Sequence, residues 1–148
     1  METVSCLSRL QKLCSKAEYC RADVYRKALK DLEGDGEAAA RVVERLVEDK
    51  YVDEARYASA FARERATLQG WGPVKIRFQL RAKGIPDQVI AGALQEIEAD
   101  KAGAKLQKLL EAKARSLEGD PQMRLKLIKF ALSRGYEYDA VEAALKRD

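Results

Sequence analysis

Histidine is absent from the 148 residues, which removes the commonest general base and the Ser-His and Cys-His nucleophile pairs. The 24 Asp and Glu lie scattered among 28 Lys and Arg at helical spacings, the pattern of solvated helix faces, so catalysis is excluded and a non-enzymatic role is expected. Charges interrupt every apolar run, so no signal peptide and no membrane span of ~20 apolar residues is expected, which implies a soluble, cytoplasmic protein.

Caps and breakers divide the chain into candidate helices near residues 5–17, 21–32, 37–50, 53–69, 73–83, 87–98, 100–117, 121–134 and 138–147. The early segments hold Cys6, Cys14 and Cys20, an odd set without C-x-x-C spacing or a histidine to assist. Reduced thiols in helices are expected, with no metal and no cofactor. Asp53 and Asp100 stand just before new periodic runs, where a carboxylate accepts from the exposed amides of a first turn. Gly72-Pro73 and Asp120-Pro121 place proline at a first helical position, where its missing N–H does no harm. Val74 to Arg81 alternates apolar and polar, which taken alone says strand. No other segment alternates in this way to pair with it, so the spacing is assigned to a helix with two apolar stripes, Val74/Phe78 and Ile76/Leu80, wedged between neighbours. Lys83-Gly84-Ile85 and Arg134-Gly135-Tyr136 each read as a helix stop with a left-handed glycine, and the two glycines are expected to act alike.

Val74 to Glu96 overlies Leu125 to Arg147 at one offset of 51 residues without a gap, with Lys75/Lys126, Gly84/Gly135, Ala93/Ala144 and Leu94/Leu145 identical. A fainter first copy aligns Leu29 with Leu80 and Leu46 with Leu94 if its turn at Gly34 to Gly36 is three residues longer. Units of about 50 residues are too small to bury a core alone and must stack. The expected fold is therefore all-α: three tandem three-helix repeats, at residues 1–52, 53–98 and 99–148, forming an elongated, curved rod with a thin core. Large enclosed sites are excluded.

Charge is unevenly placed. Residues 1–52 and 85–148 are each neutral, whereas residues 53–84 hold seven cations (Arg56, Arg63, Arg65, Lys75, Arg77, Arg81, Lys83) against Asp53, Glu54 and Glu64. From Arg65 through Pro86 there is no acid, and the local field favours phosphates or an acidic protein surface. Trp71, in the Gly70-Trp71-Gly72-Pro73 turn, reads either as a wedge between repeats or as a stacking surface for a base or partner side chain.

Gly70-Trp71-Gly72-Pro73-Val74-Lys75-Ile76, followed by Leu80, Lys83, Gly84 and Ile85, resembles the G-x-G-x-x-[RK]-I-x-x-x-L-x-x-K-G-I signature of the RecX family of RecA regulators. Tyr51-Val52-Asp53-Glu54-Ala55-Arg56-Tyr57-Ala58 is similar to that family's G-Y-[LI]-D-[DE]-x-R-[FY]-A block, and Arg134-Gly135-Tyr136 to its R-R-G-F element. Asp23-Val24 with Lys27-Ala28 weakly echoes its early E-L-x-x-K-L helix. Lys50 replaces the glycine before the tyrosine, Gln79 stands where an acid is frequent, and Arg77 and Arg81 add positive charge. The resemblance implies binding to the RecA filament on single-stranded DNA, along its helical groove. It also implies damping of ATP hydrolysis, strand exchange and coprotease activity in DNA repair and the SOS response. The expected interface is Arg56, Arg63, Arg65, Trp71, Lys75, Arg77, Arg81 and Lys83, with single-stranded DNA a weak accessory partner, no membrane, and a monomer as the acting unit. A helical DNA-binding module acting without RecA, or a scaffold for another acidic protein, are the alternatives.

Overall fold

A computed structural model describes residues 1–99 and 102–146, and among these every regular element is a helix. Helices α1 (Thr3–Lys16), α2 (Arg21–Asp31) and α3 (Gly36–Glu48) form a first group, α4 (Glu54–Leu68), α5 (Pro73–Ala82) and α6 (Asp87–Ala99) a second, and α7 (Ala102–Ser116), α8 (Met123–Ser133) and α9 (Tyr138–Lys146) a third.

The sequence signals act locally as their chemistry requires. Asp35 and Asp53 accept from the amides of Ala38 (3.1 Å) and Arg56 (2.9 Å), capping α3 and α4. Pro73 opens α5. Pro121 does not open α8: the helix begins at Met123, and the Asp120 carboxylate instead takes the Gln122 amide (2.8 Å) in a preceding turn. Asp100 lies outside the described residues. Cys6 and Cys14 sit in α1, while Cys20 is the N-cap of α2 and not within a helix. Both stop motifs close as expected, with Ile85 N–H donating to Leu80 O (3.1 Å) and Tyr136 N–H to Ala131 O (3.2 Å) around left-handed Gly84 and Gly135. Lys50 occupies the matching place after α3 with a φ of 63°, although it is not glycine.

Each group buries its own cluster: Leu10, Val24 and Leu46 in the first, Ile76, Leu80 and Ile90 in the second, Leu106, Leu127 and Val141 in the third. Three apolar pairs that the repeat retains, Ile76/Leu127, Ile85/Tyr136 and Ile90/Val141, are buried in both copies. The groups lie in series, α6 packing on α7, while among the described residues no helix of the first group packs extensively on the third. Cys20 crosses the first joint, joining the second cluster from the end of the first group.

The alternating segment is helical, but it is not a two-sided wedge. Ile76 and Leu80 are buried, whereas Val74 and Phe78 are 41% and 68% exposed. Helix α5 packs chiefly on α4 and α6, which cover a single face. Its N-terminus meets the α8–α9 turn: Gly72 N–H donates to Arg134 O (2.7 Å) and Val74 N–H to Gly135 O (2.8 Å). Amides that a helix start leaves unpaired are thus satisfied by the neighbouring repeat. A Cβ on Gly135 would meet the backbone nitrogen of Lys75 at 2.7 Å, whereas one on Gly84 meets nothing within 4 Å. The two glycines share a backbone conformation but not a role.

Candidate interface on the middle repeat

The eight expected interface residues fall into three places. Arg56 and Lys83 turn toward the first repeat. The Arg56 guanidinium pairs with Glu18 (2.6 Å) and donates to the carbonyls of Lys50 (3.2 Å) and Tyr51 (3.1 Å), so it closes the α3–α4 connection onto the α1–α2 connection. Lys83 Nζ lies 3.0 Å from Asp23 Oδ1, and Asp23 is buried, accepting also from the Cys20 amide (3.4 Å) and Arg26 (3.1 Å). Burial by itself raises the Asp23 pKa, but the hydrogen bonds from Lys83 and Cys20 outweigh it and hold the carboxyl below its ordinary range. Burial also pushes the adjoining Cys20 thiol up to about 11, so it is no nucleophile at neutral pH.

Arg65, Trp71 and Lys75 form a stack with α4. Tyr57 and Phe61 have ring centroids 5.9 Å apart, and Trp71 meets Phe61 edge-on at 6.2 Å. The Arg65 guanidinium lies 4.6 Å from the Phe61 centroid and 5.4 Å from that of Trp71, and Lys75 Nζ lies 4.6 Å from Trp71. Trp71 is therefore half-buried against the core of its own repeat, with two cations on its π system. The joint to the third repeat is made by its neighbours in the same turn, Gly72 through its amide and Gly70 through its close approach to Leu109.

Arg63 and Arg81 are exposed, and Arg77 is half-buried. Arg63 borders a shallow groove of about 480 Å³ with Glu18, Asp53, Ser59 and Glu96. Arg77 and Arg81, one turn apart on α5, flank the exposed ring of Phe78 in sequence. Arg81 pairs with Asp87 (2.8 Å) in an exposed bridge, and Arg77 has no ion-pair partner among the described residues. Phe78 was not among the expected interface residues. Its signal was present in the alternation, which sets an apolar stripe opposite the one the core needs.

No group of three or more potential metal ligands occurs among the described residues, and no described helix is long and apolar enough to cross a membrane. What this arrangement offers is a positive surface on one module of a helical array.

Residues 53–94 match the family model for RecX, second three-helix domain. A regulatory protein RecX from Bacillus mycoides (strain KBAB4) is 31% identical over 109 residues, which cover 72% of this chain and 40% of that protein. One from Bacillus cereus (strain AH820) is 30% identical over the same shares. The chain thus aligns with well under half the length of these relatives. Two solved structures share the fold: a crystal structure of regulatory protein RecX, with a TM-score of 0.86 at 22% identity over 97% of this chain and 71% of that one, and RecX from Lactobacillus salivarius, with 0.84 at 20% over 98% and 95%. With the signature residues in place across the middle repeat, the chain belongs to the RecX family.

Proposed function

We propose that this protein binds the RecA filament formed on single-stranded DNA, lies along its helical groove, and negatively modulates recombinase, ATPase and coprotease activity without catalysing a reaction. The observation that carries this reading is a coincidence of place: residues 53–84, whose excess of cations equals the net charge of the chain, lie within the module that matches the RecX second domain, residues 53–94. Helical repeats in series can touch several filament subunits and the adjoining strand together, so weak contacts add through effective concentration. Single-stranded DNA is an accessory partner, and the acting unit is a cytoplasmic monomer.

The test is the DNA-dependent ATPase of RecA, measured while the protein is titrated in. A dose-dependent fall is expected, together with retention on RecA filaments at a salt concentration that releases the protein from bare single-stranded DNA. An unchanged ATPase with equal retention on both would refute the reading.

A further inference from the structure

We propose that the outer face of α5 is a stacking site for single-stranded nucleic acid, with a base lying on the Phe78 ring and the flanking phosphates held by Arg77 and Arg81. The fold leaves Phe78 outside the core: the buried stripe of its helix is Ile76 and Leu80, and Phe78 is 68% exposed. Large aromatic side chains left in water mark contact surfaces when other features converge on them. Here the convergence is charge. Phe78 has Arg77 before it and Arg81 one turn on, in a window from Arg65 through Pro86 without an acidic residue.

Both guanidinium groups are available to a phosphate. Arg77 has no ion-pair partner among the described residues, and the Arg81–Asp87 bridge, with side chains 59% and 74% exposed, is easily exchanged. Trp71, the other candidate for stacking, already has Phe61, Arg65 and Lys75 against it. A ring with two arginines along one flank of its helix suits a polyanion whose bases all present a π face. The site is particular to the middle repeat: the position equivalent to Phe78 in the third is Lys129, on a helix whose exposed apolar residues are Leu125 and Leu132.

This inference deepens the proposed function and rests on it only for the source of the strand. Oligo-dT binding without RecA tests it, using anisotropy across a salt series. Phe78→Ala is expected to weaken binding by roughly 5- to 150-fold with the log-log salt slope unchanged, because stacking releases no counterions. Phe78→Leu should fall with Phe78→Ala, since it keeps apolar area but lacks a π face. Phe78→Trp should retain affinity, with fluorescence quenching by oligo-dT beyond that of wild type. Arg77→Gln should instead flatten the slope by about 0.7. Wild-type affinity in Phe78→Leu, no effect of Phe78→Ala, or no oligo-dT binding by wild type would overturn the stacking site; a Phe78→Ala loss seen on RecA filaments alone would do so in favour of protein docking. RecA inhibition measured in parallel separates the two proposals: the Phe78 pattern without inhibition refutes the filament reading alone, and inhibition without the pattern refutes stacking alone.

Discussion

Three glycines separate backbone strain from joint packing. Gly84 and Gly135 both hold left-handed φ, 78° and 96°, whereas Gly72 sits at −87°, a value open to any residue. A Cβ on Gly84 points into open space, one on Gly135 meets the Lys75 nitrogen at 2.7 Å, and one on Gly72 meets Gly135 O at 2.5 Å. Gly84→Ala therefore carries only the conformational penalty, about 1 kcal/mol. Gly135→Ala carries that penalty and must also part the joint that holds the Gly72–Arg134 and Val74–Gly135 hydrogen bonds. At about 0.5–1.5 kcal/mol for each bond lost, its total is roughly 2–4 kcal/mol. Gly72→Ala has the clash without the φ penalty, about 1–3 kcal/mol.

Thermal unfolding of the three variants ranks them, with each kcal/mol worth about 2–4 °C at this chain length. Repeat arrays open in parts, so hydrogen exchange at the Gly72 and Val74 amides supplies a local reading. Both amides should lose protection in Gly135→Ala and Gly72→Ala and keep it in Gly84→Ala. Equal destabilisation by Gly84→Ala and Gly135→Ala, or a silent Gly72→Ala, would refute the account of the joint.

Three further outcomes are expected. Lys50→Gly should stabilise the protein by about 0.5–1 kcal/mol, because Lys50 holds a φ of 63° that glycine adopts freely; a lower melting temperature would contradict this. Asp23→Asn should lose roughly 2 kcal/mol at neutral pH, scaled down from a fully buried pair because Lys83 keeps a third of its exposure. Since the folded Asp23 pKa is depressed, its contribution is complete above the unfolded value near ~3.9 and disappears as pH falls through the folded one, so wild type and variant should converge in acid denaturation. Replacing Lys75, Arg77 and Arg81 together by glutamine should weaken RecA inhibition more than replacing Lys108, Arg115 and Lys129, an equal charge change on exposed third-repeat positions; equal loss would refute a middle-repeat docking face. Lys83 is left out because it holds Asp23, and Lys105 is left out of the control because its Nζ donates to Thr67 O (2.9 Å) at the joint.

A feature is legible in the sequence when the groups that determine it are neighbours along the chain. Helix ends such as Asp53, Pro73 and the glycine stops were legible because capping is a contest among a few adjacent groups, decided within one turn. The core pairs were legible because burial repeats with the unit: Ile76 and Leu127 meet the same need in successive copies. Apolar pairing alone, however, does not report burial, for Val74 and Leu125 are also matched by the repeat and are 41% and 48% exposed. The candidate interface was legible only as a segment. Seven cations within residues 53–84 are a property of composition, but which of them face water depends on where the adjoining repeats lie. Lys83 is one residue before a helix-stop glycine in sequence, yet its partner Asp23 is 60 residues away, in another repeat. Arg56 likewise finds Glu18 across 38 residues. Positive charge in the middle repeat thus does two jobs, and no local signal separates them: at the joint to the first repeat it neutralises acids of that repeat, and on α5 it borders an aromatic ring that the core leaves in water. The second use depends on the first, because Lys83, one residue beyond α5, ties that helix to the first repeat while the turn before its first residue is hydrogen-bonded into the third.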